Sequence, residues 1–264
     1  GPVFLSFPWD TLDEEVDADI IPSSPGYFRS RPDVDAVAHA SELLSQAENP
    51  VIVIGDRIAQ SGAVPEMVKV AEQLGAKVYA AAYTEVNFPT SHSLFGGMLN
   101  LNSAATRAQL AGADVVLAVG TNVFSSFLYV PEPFIGPNTK LIHLDSNPRE
   151  VEKIYPTEVG ILCDPKAGLE DLSQALDQDM SGPAKEAAAT RAATLADERS
   201  RYHQGVARNL KEHWDRRPMA VERMMHELAH ALPSNAIIAD EAVTSRPALM
   251  RSMNFDEPGS FYGI

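Results

Sequence analysis

The sequence predicts an α/β fold: a parallel sheet flanked by helices on both faces, followed by the incomplete start of a second α/β domain. Three observations lead there. Continuous apolar runs rich in β-branched residues recur at short intervals, with PVIVI at 50–54 and ADVVLAVG at 113–120 the strongest. Between them lie segments whose apolar residues repeat at helical spacing, and glycine stands at several of the junctions. Strands that are apolar along their whole length are buried on both faces, which is the condition of a parallel sheet covered by helices.

PVIVI ends at Gly55 and gives the first strand. Val64, Met67, Val68, Ala71 and Leu74 mark a helix that Gly75 terminates, since glycine fills a left-handed cap without steric cost. AKVYAA (76–81) is the second strand, NFPTSHSLFGG (87–97) reads as a loop, and a helix is expected around Ser103 to Leu110. ADVVLAVG, TKLIHLD (139–145) and EVGILCD (158–164) supply three more strands, and Leu169, Leu172 and Leu176 align on a helix from Lys166 to Leu176. Residues 183–214, rich in alanine and charge, predict one long helix with a narrow packed edge at Tyr202, Val206, Leu210 and Trp214. From Arg217 onward the order is helix, turn, strand (AIIAD, 236–240), turn, helix.

These elements divide the chain into an α/β unit in its middle, a long connecting helix and the start of a further unit. The chain opens on the strand-like PVFLSF without a methionine and stops at SFYGI without a closing turn, so it is expected to be part of something longer.

At 264 residues and 45% hydrophobic content there is enough apolar surface for one large or two smaller cores. Lys and Arg number 21 against 36 Asp and Glu, a net charge of −15 with no basic cluster, so neither nucleic acid nor an anionic membrane is an expected partner. No apolar run reaches the roughly 18 residues of a membrane span, and the first ten residues lack the features of a signal peptide. The single Cys163 permits no internal disulfide, and a cytoplasmic location is expected. In GILCDP that thiol reads as a buried strand end rather than a nucleophile.

Two motifs raise specific chemistry. MHELAHA (225–231) contains H-E-x-x-H, in which His226 and His230 would bind zinc with Glu227 as general base. However, the apolar stripe of Val221, Met224, Met225, Leu228 and Leu232 turns both histidines to the opposite face. Pro233 stands where the extended motif needs glycine, and no third ligand follows, so no zinc is expected. The second motif lies at the carboxyl ends of the strands, where ligands bind in parallel sheets: Gly55-Asp56, Gly120-Thr121 and Asp145-Ser146-Asn147. Asp145 there could hold ribose hydroxyls, or the same residues could simply make tight turns and caps. A stand-alone nucleotide-binding α/β module without catalysis is therefore the alternative function, although no G-x-G-x-x-G or G-x-x-x-x-G-K-[ST] is present.

The element order after residue 218, with AIIADEAVTSRPALMRSMNFDEPGSFYGI, resembles the opening of the diphosphate-binding domain in thiamine diphosphate-dependent enzymes of the acetolactate synthase and decarboxylase superfamily, above all its benzoylformate decarboxylase-like members. The resemblance covers the whole chain and makes residues 1–30 the end of a pyrimidine-binding domain plus linker, 31–180 the central α/β domain, 181–217 the connecting helix and 218–264 the start of the diphosphate-binding domain. It implies an intact lyase or carboligase that uses thiamine diphosphate and Mg2+ on a small 2-oxo acid, assembled as a homo-dimer or tetramer. It sets the DEAVTS turn against the diphosphate, on Asp240, Glu241, Thr244 and Ser245, although a Thr-Ser pair before Arg-Pro is also an ordinary helix cap.

The same resemblance implies no catalytic residue and no metal ligand within this segment. The activating glutamate would precede residue 1 and the Gly-Asp-Gly to Asn magnesium segment would follow residue 264, so the chain alone is expected to be inactive. In GTNVFSSFLYVP (120–131) Phe127 takes the place of a catalytic histidine and becomes a substrate-lining candidate, since phenylalanine transfers no proton. In VIVIGDRIAQSG the turn after the strand has a single glycine, Gly55, where flavin-binding members carry a Gly-rich turn, so no FAD is expected. HELAH falls on a helix that in these enzymes packs against a sheet.

Overall fold

A computed structural model describes residues 4–22, 29–81, 83–101, 103–125 and 131–263. Residues 4–8 form no strand, contrary to the reading of PVFLSF; the first element is a short helix, α1 (Trp9–Asp13), that buries nothing. The compact part begins at α2 (Val34–Ser45), whose N-cap Asp33 accepts hydrogen bonds from the Asp35 and Ala36 N–H groups. Then come β1 (Pro50–Ile54), the single-turn helix α3 (Arg57–Ser61), α4 (Val64–Leu74) and β2 (Lys77–Ala80). β3 (Phe95–Met98) lies inside the stretch read as a loop; its Phe-Gly-Gly-Met sequence carries none of the β-branched signal of the other strands. α5 (Ala104–Leu110), β4 (Val115–Val119), β5 (Lys140–Asp145), β6 (Val159–Leu162) and α6 (Pro165–Asp179) complete this unit.

The six strands form one wholly parallel sheet in the order β3-β2-β1-β4-β5-β6. One face is covered by α2, α4 and α6, with Leu44, Met67, Leu74, Leu169, Leu172 and Leu176 packed on Ile52, Ile54 and Leu117. The other face is covered by Leu110 of α5 and by loop residues, among them Leu99, Phe124, Phe134 and Ile135. Helices therefore flank both faces, but the second face depends mainly on loops.

The connecting helix is α7 (Gly182–Glu212), 31 residues long. Its packed edge is not the expected Tyr202–Trp214 row. Ala188 is its one residue in the core, with Ala184, Ala192 and Leu195 beside it, because Gly75 at the end of α4 lets the two helices touch backbone to backbone. Tyr202 is half exposed.

The remaining segment is α8 (Val221–Ala231), β7 (Ile238–Asp240), α9 (Arg246–Ser252) and β8 (Phe261–Gly263), with β7 and β8 paired in parallel. It docks on the central domain through a polar and aromatic seam. Gly263 N–H donates to the Thr84 carbonyl at 2.8 Å, Thr90 N–H to the Phe255 carbonyl at 3.1 Å, and Ser91 N–H to Asp256 Oδ1 at 2.9 Å. Tyr83, Phe95, Phe255 and Phe261 form the aromatic side of the seam. Of the α8 stripe, Met225 is buried and Val221 partly so, while Met224 (47%) and Leu228 (42%) stay exposed because the two-stranded sheet is too small to cover them.

Candidate functional site

The strand order reverses between β1 and β4, and in such sheets the crevice beyond that point is the usual ligand site. Here the protein fills it. A Cβ on Gly55 would lie 2.5 Å from the Gly120 carbonyl oxygen, so the two turns are in backbone contact and neither leaves a phosphate-sized gap. Gly120 has φ +60, Gly55 N–H donates to Val119, and Arg57 N–H donates to the Gly120 carbonyl.

Asp145, the candidate ribose ligand, is fully buried and already saturated. Its Oδ2 accepts from Arg57 Nη2 at 2.7 Å and lies 3.3 Å from His143 Nε2, and its Oδ1 accepts from the Asn147 N–H at 2.7 Å. His143 Nε2 also lies 3.1 Å from the Thr121 carbonyl; both neighbours are acceptors, so this nitrogen carries the proton. Burial alone would push the Asp145 carboxyl up, but the hydrogen bonds from His143, Arg57 and Asn147 outweigh it and hold the group below its ordinary value. Of the two readings of these strand ends, turn and cap is the one realised. The sequence signals for this network were a histidine inside an otherwise apolar strand and an arginine two residues past Gly55.

The DEAVTS turn joins β7 to α9. Asp240 is buried, accepting from Arg246 Nε at 2.5 Å through Oδ2 and from the Ala242 N–H at 2.9 Å through Oδ1, so its carboxylate faces inward and fixes the turn. Glu241 and Thr244 are exposed. Ser245 occupies the N-cap position of α9, yet its hydroxyl accepts no capping hydrogen bond. The ordinary cap is thus not formed by that side chain, and the hydroxyl stays available to a ligand. Of the four residues assigned to the diphosphate, Asp240 holds the turn while Glu241, Thr244 and Ser245 lie at its surface.

Phe127 lies outside the described residues. The loop leading to it is held by Phe124, whose ring packs 5.6 Å from Phe134 and 5.3 Å from Tyr155. In HELAH, Glu227 lies 3.7 Å from Arg223, the His226 ring packs on Trp214, and His230 Nδ1 is 2.8 Å from the His226 carbonyl. Among the described residues no three His, Cys, Asp or Glu side chains gather as a metal site, and no helix is long and apolar enough to cross a membrane. Cys163 is buried, and burial pushes its thiol up to about 12, too high for a nucleophile at neutral pH. A cavity of about 830 Å³ opens between β3, α7 and α9, with Val243 of the turn in its wall.

A doubly wound α/β domain whose switch-point crevice is closed by its own residues, followed through a long helix by a second β–turn–α unit, defines a scaffold domain joined to a separate, smaller α/β unit. The profile of the family described as thiamine pyrophosphate enzyme, central domain, matches residues 37–172, and the chain belongs to that family. It is 31% identical over 262 residues to a sulfoacetaldehyde acetyltransferase of Rhodobacter capsulatus, covering 91% of this chain and 43% of that protein. It is 25% identical over 265 residues to a benzoylformate decarboxylase of Pseudomonas aeruginosa, covering 99% and 46%. The crystal structure of benzoylformate decarboxylase from Polynucleobacter necessarius superposes with a TM-score of 0.72 at 19% identity, covering 95% of this chain and 44% of that one, a likeness of fold. The chain thus spans under half the length of these relatives.

Proposed function

We propose that the chain supplies the central domain and the beginning of the cofactor-binding domain of a thiamine diphosphate-dependent lyase or carboligase acting on a small 2-oxo acid. On this reading residues 1–30 close a preceding pyrimidine-binding domain, 31–180 are the central domain, 181–217 the connecting helix and 218–264 the start of the diphosphate-binding domain. The observation that carries it is the 240–245 turn: Asp240 and Arg246 lock the backbone from inside while the Ser245 hydroxyl caps nothing at the helix start. That arrangement fits a phosphate group, which hydroxyls and the N-terminal N–H groups of a helix can bind. Thr244 and Ser245 would make those contacts. Glu241 would repel a bare diphosphate, so its place there requires the accompanying Mg2+ to offset the phosphate charge.

When bound, thiamine diphosphate supplies an electron sink for the pair released as a 2-oxo acid loses carbon dioxide. The chain's own share is positioning. The sheet holds residues 120–125, which lead to the substrate-lining candidate Phe127, and the docked α9 unit holds the turn. The names of the matched acetyltransferase and decarboxylase support carbonyl chemistry on a small organic acid. A cytoplasmic homo-dimer or tetramer completes the reading.

The test uses the protein encoded by the whole gene. With thiamine diphosphate and Mg2+, a panel of 2-oxo acids should include at least one that releases carbon dioxide or couples to an aldehyde. Changing Thr244 and Ser245 together to alanine should weaken cofactor binding by calorimetry about tenfold or more. Phe127→His should alter substrate range or pH dependence. Absence of both cofactor binding and turnover across the panel would overturn the proposal.

A further inference from the structure

Arg199 lies on α7 where the helix passes the β3 edge of the sheet, in the wall of the 830 Å³ cavity. Its Nη2 donates to the Thr90 carbonyl, and its guanidinium sits 5.9 Å from the Phe95 ring and 5.7 Å from the Tyr202 ring. Its Nε is buried and has no partner. Among the described residues no carboxylate pairs with it. The other cations of the cavity wall are all compensated: Lys77 by Glu198 at 3.0 Å, Arg246 by Asp240, and Arg251 by Glu222 at 3.5 Å. Arg199 is therefore an unbalanced, half-buried positive charge in a chain of net charge −15.

Burial pulls its pKa down with only Tyr202 opposing, yet a guanidinium does not give up its proton in a protein. The charge stays, partly desolvated, until an anion meets it. His203 beside it is held below its ordinary value by burial and then by Arg199, so at neutral pH it adds a hydrogen-bonding nitrogen and no second charge. The rest of the wall is largely apolar, with Leu99, Leu101, Leu195 and Met250 facing the same space.

We propose that this cavity binds a small organic monoanion, a carboxylate or sulfonate on an apolar body, with the acid group on Arg199 and the body against Leu99, Leu101, Leu195 and Met250. A planar guanidinium grips either acid through paired N–H donors. One unbalanced cation matches one negative charge, whereas a polyphosphate would bring several into a wall that already holds Glu198. The site is a property of this chain and does not rest on the cofactor reading.

The test is calorimetric titration of the 264-residue chain with benzoate, benzenesulfonate and the neutral benzamide. At least one of the two acids should bind about tenfold or more tightly than benzamide, and the tighter acid identifies the preferred headgroup. Arg199→Met should bring that acid down to the level of benzamide, and Val243→Trp, at an exposed position on the cavity wall, should weaken all three ligands. Equal binding of benzamide and both acids, or no binding of any of them, overturns the proposal. If Arg199→Met fails to fold for want of its Thr90 contact, Val243→Trp decides: unchanged acid affinity there places the ligand elsewhere and overturns the assignment.

Discussion

Arg57 and Asp145, 88 residues apart in sequence, meet at 2.7 Å beyond the ends of the two central strands, with the carboxylate fully buried. This pair lies at the switch point of the sheet, where open α/β sheets commonly bind ligands. The crevice has become a joint that ties the turn after β1 to the end of β5 and, through His143, to the Thr121 turn after β4.

Asp145→Asn should lower stability at pH 7 by about 3–5 kcal/mol, because it leaves Arg57 partly buried without its counter-charge. The pH dependence has a definite sign. The folded carboxyl is held below its ordinary value of 3.8, so its contribution is complete above that value and is lost as pH falls through the lowered one. Urea unfolding of the parent chain should therefore weaken steeply below about pH 4, and the Asn variant should show a smaller part of that loss. Parallel acid profiles would mean that the pair does not control it.

Gly75→Ala should be far more damaging than Gly62→Ala, although both glycines end helices with positive φ. At Gly62 an added methyl meets nothing, and only the left-handed backbone matters, about 1–2 kcal/mol. At Gly75 the methyl would lie 2.0 Å from the Ala188 carbonyl oxygen, adding about 1–3 kcal/mol of overpacking and forcing α7 off α4. Thermal unfolding of the two variants gives the comparison; equal melting temperatures would remove the α4–α7 backbone contact from the account.

Cys163 should resist thiol reagents in the native chain. Its pKa of about 12 leaves almost no thiolate at neutral pH, and the thiol is enclosed beside Gly168 of α6. Modification by a chromogenic disulfide should be slow in buffer and fast in denaturant. A fast native reaction would show that β6 and α6 open readily.

Much of this was legible in the sequence because most strands are short β-branched runs and helical stretches carry apolar residues at regular spacing. β3 was missed since Phe-Gly-Gly-Met has no β-branched residue and two glycines; it forms a strand because Val78 and Tyr79 of β2 offer it a ladder. The edge of α7 was misplaced because alanines leave no amphipathic signal, and Ala188 packs only where Gly75 gives way. The saturation of Asp145 was hidden because Arg57 reaches it from α3, 88 residues away in sequence, and pairs with the carboxylate that His143 of the same strand also meets. The DEAVTS turn was read correctly as strand–turn–helix, but that Asp240 faces inward while the Ser245 hydroxyl stays uncapped is a matter of side-chain pairing that spacing does not encode.

The final prediction concerns the seam that docks residues 218–263. Thr90 and Phe255 exchange two hydrogen bonds: Thr90 N–H donates to the Phe255 carbonyl, and Phe255 N–H donates to Thr90 Oγ1 at 2.7 Å. The hydroxyl is buried, so Thr90→Val, nearly the same shape, leaves the Phe255 N–H without an acceptor and should destabilise the seam by about 1–3 kcal/mol. The central sheet shares none of these bonds. β4 is paired on both sides by five-residue ladders, whereas β7 pairs with β8 alone over three residues. Hydrogen exchange in the parent chain should therefore show stronger protection in ADVVLAVG than in AIIAD, the latter opening with the seam rather than with the whole molecule. Thr90→Val should speed exchange in AIIAD by about fivefold or more while leaving ADVVLAVG within experimental error. If both regions accelerate together, the docked unit and the sheet unfold as one cooperative body. If neither changes, the Thr90–Phe255 exchange of hydrogen bonds is not what holds the second unit in place.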